Sequence, residues 1–453
     1  MRGLCHTQPK SALLYGQIAV VALVALLGCA VAHGAGSVQC CSSVAPVFPP
    51  ATPYGTTMYR EDDPRNSYKP YQPVPIDASA PAKDMLERLE NRELQLGPYS
   101  AELVPALRGL GAALFQEQKF NDAITAYGRA IYLLRVNEGL ETFLQTGLIE
   151  QVIEAQIKVG NYIAADSQQE YLFRIRQATL AASDPEMLVS VEQYADWHRA
   201  AYLGELDRYR YPRIVQLVDL YTGMIEAVAK EKGEFNRDIL PYLQGKLKTE
   251  YLLSIYPGER EVGLQAQARQ KDEIDLPDLT KMRFAKFRDG NYRYGLQTIQ
   301  QMRAIIENDP ESKLRELADV QVALGDWYQW HRRYAQAVNT YGGAWEMMAG
   351  QADGADWLQV TFGDPLELPS QIVFQPGRMP LRMTYAVQVT ALFTVSRHGE
   401  AKGIKILSPQ REENQPAVTR GYKYLRDMRF RPRVLDGEIV AAKDLERIYN
   451  IRY

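Results

Sequence analysis

The stretch LGDWYQWHRRYAQAVNTYGGA, residues 324–344, decides the fold, because residues 110–130, LGAALFQEQKFNDAITAYGRA, carry the same pattern without a gap. Leu110, Gly111, Leu114, Phe120, Ala123, Tyr127 and Ala130 match Leu324, Gly325, Tyr328, Tyr334, Ala337, Tyr341 and Ala344. The spacing is helical. Gly and Ala recur where two antiparallel helices must approach closely, and Leu and Tyr fill the gaps beside them. One such pair cannot bury its apolar face alone, so an array of three or more is required. Weaker echoes occupy the interval. Gly160-Asn161-Tyr162 with Ala165, and Gly290-Asn291-Tyr292 with Gly295, read as turns between helices, and Tyr194-Ala195-Asp196-Trp197 as another first helix. The turn aromatics at 120 and 162, and at 292 and 334, give a period of 42 residues. Stretches near 212–231 and 237–255 are helical but fit less well, and Pro241 is expected to interrupt the second. Five or six helical hairpins are predicted across 99–350.

This pattern resembles the tetratricopeptide repeat, which places Leu-Gly on its first helix and Ala, an aromatic and Ala on its second. The resemblance implies an α-solenoid whose face holds a peptide or protein. Both copies lack the family's closing Pro, with Arg135 and Gln351 near that place. The period exceeds the usual ~34 residues, which implies helices about one turn longer.

Beyond 351–380, a Gly-, Pro- and Asp-bearing stretch read as a linker, the period switches to two. Tyr385, Val387, Val389, Ala391, Phe393 and Val395 alternate with more polar neighbours, giving a long strand with one apolar face. Arg397-His398-Gly399-Glu400 makes a tight turn, and Ile404 and Ile406 follow on a second strand. A helix after Pro416 runs to about Met428 with Leu425 inward, and a last strand spans roughly 445–453. The fold class is thus mainly α: a solenoid followed by a small α+β domain of order β-β-α-β over 381–453. Phe393-Thr394-Val395 with Gly399, Ile404-Lys405-Ile406-Leu407-Ser408, Met428-Arg429-Phe430-Arg431-Pro432 and Asp436-Gly437 with Val440 give this domain its family likeness. It resembles the C-terminal domain of TonB, the energy-transducing protein of Gram-negative envelopes. That resemblance implies partner binding by strand addition at a sheet edge.

The other end of the chain reads as an export signal. Arg2 and Lys10 precede an apolar run from Ile18 to Ala32, shorter than the roughly 20 residues a membrane-spanning helix needs. Leu26-Leu27-Gly28-Cys29 resembles a lipobox, with Cys29 as the lipidation candidate; cleavage after Ala32 or Ala35, and an uncleaved anchor, are the alternatives. Residues 1–35 are accordingly a signal peptide or lipoprotein leader, on the periplasmic side of the envelope once exported. Residues 36–98 are read as a disordered tether; Pro, which blocks helix and sheet ladders, is dense over 42–98, a stretch reaching at most ~180 Å. All four Cys lie in the first 41 residues, so the body holds no disulfide or thiolate-metal site.

The 453 residues carry 24% charged and 46% hydrophobic side chains, which excludes a wholly disordered, collagen-like or polytopic membrane chain. A net charge of −3 gives no global basic field for nucleic acid. Residues 371–453 hold 15 Lys and Arg against 8 Asp and Glu, a net of +7 that leaves −10 elsewhere. Arg426, Arg429, Arg431 and Arg433 are candidates to face an acidic partner or an anionic envelope polymer. Trp327, Trp330 and Arg332 form a second candidate surface, since aromatics and Arg dominate binding hot spots. No phosphate loop, zinc-protease helix, nucleophile elbow or dinucleotide fingerprint occurs, so neither cofactor nor catalytic residue is assigned. Taken together, these features predict a non-catalytic, envelope-tethered adaptor that binds envelope proteins or peptides with two independent hands. An inner-membrane energy transducer is the alternative, and a carboxylate enzyme without a motif the third class.

Overall fold

The computed structural model describes residues 57–60, 62–63, 73, 80–204, 206–207, 209–256, 278–369 and 386–452. The leader and all four Cys, Cys29 included, lie outside them. The chain is mainly helical, with a small sheet region at its C-terminal end.

The repeat signature folds as paired helices. Helices α2 (Val104–Gln116) and α3 (Phe120–Glu138) carry the first copy. The second lies on α10 (Leu314–Trp330) and α11 (Tyr334–Met348). A Cβ on Gly111 would stand 2.5 Å from the Tyr127 ring, and one on Gly325 the same distance from Tyr341. The two Leu-Gly steps therefore exist so that a tyrosine ring can lie directly on the facing backbone. The turns match as well. Gln118 and Arg332 both take positive φ, and the next amides, of Lys119 and Arg333, return to Leu114 O and Tyr328 O at 2.8 Å.

Between them run α4 (Thr146–Lys158) with α5 (Tyr162–Thr179), and α6 (Pro185–Leu203) with α7 (Tyr211–Lys232). Next come α8 (Leu240–Ser254) and α9 (Leu279–Asn308). Among the described residues five helix pairs result. Gly160-Asn161 forms the expected turn, with Gly160 at φ +76° and Asn161 capping α5 through Ala164 N. Gly290-Asn291-Tyr292 does not: it lies within the 30-residue α9. There Asn291 is buried, donating to Glu250 O and Glu250 Oε2, so its polar side chain serves packing between α8 and α9 rather than a turn. Pro241 interrupts nothing either; it stands in the first turn of α8, where its missing N–H has no helical partner to lose.

Two stretches read as unstructured contain elements. Helix α1 (Ala82–Leu96) falls inside the span expected to be tether. That span is Pro-rich on average, yet no Pro stands between Pro81 and Pro98, and Met85 and Leu89 pack against the first hairpin. Strand β1 (Thr57–Tyr59) also falls there. The expected linker 351–380 holds α12 (Gly354–Phe362) and strand β2 (Leu366–Leu368). No described helix is long and apolar enough to cross a membrane.

The C-terminal strands are β3 (Ala386–Val395), β4 (Ala401–Ser408), β5 (Arg429–Arg431), β6 (Arg433–Leu435), β7 (Glu438–Val440) and β8 (Ala442–Arg452). Helix α13 (Gln415–Asp427) follows β4. The main sheet runs β1-β8-β3-β4, antiparallel throughout. The alternation read from the sequence holds: Val389, Ala391, Phe393 and Val395 are buried, together with Leu425 and Ala417 of α13. Gly421 brings α13 close to Ile451 and Val389, so helix and sheet form two layers. Beyond the simple β-β-α-β order, β6 and β7 make a hairpin at Asp436-Gly437, and β2 and β5 pair separately.

Candidate functional site: the cleft at the array–sheet junction

Asp326 follows Gly325 on α10, at the place where the first copy has Ala112. A carboxylate in a small-residue seam requires partners, and it accepts three hydrogen bonds from two. Tyr341 Oη donates to Asp326 Oδ1 at 2.9 Å; Arg431 donates through Nε to Oδ1 at 2.8 Å and through Nη2 to Oδ2 at 2.6 Å. Arg431 Nη1 donates to Thr361 O at 3.1 Å, at the end of α12. Burial works against the Arg431 charge, but Asp326 outweighs it and raises the guanidinium pKa above its ordinary value. Burial also holds the Tyr341 phenol protonated. In the first copy, Tyr127 Oη has no partner among the described residues. Asp326 is thus what adapts the last hairpin to receive the C-terminal domain.

Other contacts follow the same seam. Gln329 Nε2 donates to His398 O, and Tyr334 Oη to Glu400 Oε1. Glu367 of β2 accepts from Arg447 Nη1 and from Tyr449 Oη of β8, with Arg60 Nη1 at 3.5 Å. The C-terminal domain is therefore bonded to the last repeat through Asp326, Gln329 and Tyr334, the first two of these buried. The array and the C-terminal domain, read from the sequence as two hands, are packed against each other along this seam.

Beside the bridge lies a cavity of about 430 Å³ between α8, α9 and α10. Leu247, Tyr251, Met302, Ile306, Val320 and Ala323 give it an apolar lining, and Asp319, Asp326 and Arg431 stand at its polar end. A neighbouring cavity of about 230 Å³ shares Asp319, Ala323, Asp326 and Arg431 and continues to Val360 and Leu366. Most lining charges already have partners: Glu316 pairs with Arg237, and Lys248 lies 3.8 Å from Glu192. Asp319 differs. It accepts from Trp357 Nε1 at 2.8 Å, and burial raises its pKa against the pull of that bond and of Arg315 and Arg431. An apolar floor with a few placed polar groups is the usual composition of a binding cleft.

A second polar cluster is self-contained. Arg213, buried, donates to both oxygens of Asp166 and of Asp207 and to His198 Nδ1. All its donor directions are spent inside the protein. Facing a guanidinium, His198 Nδ1 is the acceptor, which leaves the proton on Nε2. Burial, followed by the Arg213 charge, lowers its pKa to about 3. Among the described residues no three His, Cys, Asp or Glu side chains converge as metal ligands would.

The surfaces named from sequence divide. Trp327 is fully buried, its ring over Gly295 and its Nε1 donating to Tyr292 O at 3.0 Å. Trp330 is half-buried, bonded through Nε1 to Ser254 Oγ. Arg431 is 7% exposed, and Arg433 is half-buried. Arg429 is half-buried and donates to the Asp427 and Met428 carbonyls. Trp327 and Arg431 are therefore internal joints of the body rather than exposed binding residues. Arg332 and Arg426 remain exposed, the latter paired with Asp427. The sequence missed Asp326 and Asp319; comparing Asp326 with Ala112 across the repeat was the signal that could have found the first.

No protein-family model matches the sequence, and no curated protein matches it. Among solved structures, it is similar to the nearly identical TPR-like repeats of a Podosopora anserina kinesin light chain, at 13% identity and a TM-score of 0.32, covering 55% of this chain and 97% of that one. A single-substitution variant of those repeats gives 12% identity and a TM-score of 0.31. So distant a likeness carries no functional conclusion.

Proposed function

We propose that this chain is an exported, envelope-tethered, non-catalytic scaffold that holds an extended peptide segment of a partner in the cleft between α8, α9 and α10. The cleft carries the reading: a large apolar side chain fits its floor, and Asp319 at the polar end accepts a hydrogen bond from the peptide beside that anchor. Buried in the apolar part, such a side chain would contribute roughly 1.5–3 kcal/mol. The apolar leader and the TonB-like sequence pattern of 381–453 support an envelope setting for the scaffold.

Peptides selected from a random display library on the full chain test the cleft. They should share an apolar anchor and lose binding to Ala323→Arg, which fills the shared wall of both cavities. Selected peptides that bind the variant equally well would overturn the reading. Mass spectrometry of the N-terminus tests the setting: a start at lipidated Cys29, His33 or Gly36 supports the scaffold, whereas an intact Met1 or Arg2 favours the inner-membrane transducer.

A further inference from the structure

The two edges of the main sheet are protected differently. On β4, the outer edge carries exposed Lys402 and Lys405, and Gly403 has positive φ beside a register irregularity. Charge and irregularity of this kind keep an edge from pairing with other chains. Toward the end of β8, Ile448-Tyr449-Asn450-Ile451 is an uncharged run between Arg447 and Arg452, and Tyr449 and Ile451 are fully buried. Here the chain supplies its own cover. Thr57, Met58 and Tyr59 pair antiparallel with Arg452, Ile451 and Asn450, and among the described residues no other strand pairs with that edge.

Two side chains hold this short strand. Met58 is 5% exposed and belongs to the same core as Val389, Phe393, Tyr449 and Ile451. Arg60, two residues on, is buried with Nη1 3.5 Å from Glu367 Oε1 and Nε 3.1 Å from Asp62 Oδ1. Met58, in the middle of β1, thus reaches the core, and Arg60, the residue just past the strand, reaches Glu367. Glu367 lies on β2, whose neighbouring residues Leu366 and Pro369 line the cavities.

We propose that Thr57–Arg60 is a detachable strap, a self-supplied edge strand anchored at Met58 and Arg60 that closes β8. Three paired residues on an eleven-residue strand make it separable from the rest of the sheet. The strap links the segment before it to β8 through Met58 and to Glu367 through Arg60. It occupies a different place from the proposed peptide cleft and stands or falls separately.

Hydrogen exchange on the full chain tests it. In Met58→Asp, amides of Tyr449–Arg452 should exchange faster by about tenfold or more, while those of α2 and α3 stay unchanged. Arg60→Gln should give a smaller change in the same segment. A synthetic peptide spanning Thr56–Asp63, added to the Met58→Asp chain, should restore protection at Tyr449–Arg452, and a scrambled peptide should not. Unchanged exchange in both variants, or no restoration by the peptide in a chain whose β3 amides remain protected, would overturn the strap.

Discussion

At residue scale, the Asp326–Arg431 pair decides whether array and sheet remain one body. A buried bidentate pair adds little net stability over apolar packing, but removing one partner leaves a charge stranded. Asp326→Ala should therefore cost about 3–5 kcal/mol, and Asp326→Ala combined with Arg431→Met should recover most of the loss. Thermal unfolding of the three chains checks this; equal loss in the single and double variants would refute it. His198 and His331 set an acid limit. Burial, then Arg213, holds His198 at a pKa of about 3, and burial, then Arg333, holds His331 at about 4. Both values lie below the unfolded pKa near 6.5, so the unfolded chain binds protons first. Their contribution is complete above pH 6.5 and is lost as pH falls toward the folded values. For His198 alone the loss between pH 6.5 and 4.5 is about 2–3 kcal/mol. Denaturation midpoints across that window should fall, and His198→Asn, which keeps an acceptor toward Arg213, should flatten the slope.

At element scale, the repeat is legible because its spacing is a packing requirement. Gly111 and Gly325 face tyrosine rings at a distance no Cβ could occupy, so the signature can be read without coordinates. Gly325→Ala should destabilise by about 1–3 kcal/mol through overpacking, measured as a lower urea midpoint at unchanged slope. Tyr341→Leu in the same chain should relieve part of it. Elements without a periodic requirement were misread. Helix α1 was hidden by the Pro around it, and Gly290-Asn291-Tyr292 imitates a turn although its Asn serves a buried contact inside α9.

Across the whole molecule, the seam through Asp326, Gln329, Tyr334 and Glu367 makes the C-terminal domain a wall of the last repeat. Deleting 371–453 should therefore loosen α10 and α11 while leaving α2 to α5 folded, since repeat stability is carried between neighbours. Limited proteolysis would show early cuts in 314–348 and late ones in 104–179. A truncated chain with uniform protease resistance would restore the picture of two separate hands.

The sequence by itself determined the paired helices, the alternating β3 strand and the helix that covers the sheet, because each is written in a period of 3.6 or 2 within a short window. Tertiary structure alone decided that Trp327 and Arg431 are internal, that residues 57–60 return to the far sheet, and that Asp326, Arg431 and Glu367 join separate parts of the chain. Burial and charge pairing are set by residues distant in sequence; Arg431 meets Asp326 across 105 positions, and no local pattern records such a partner.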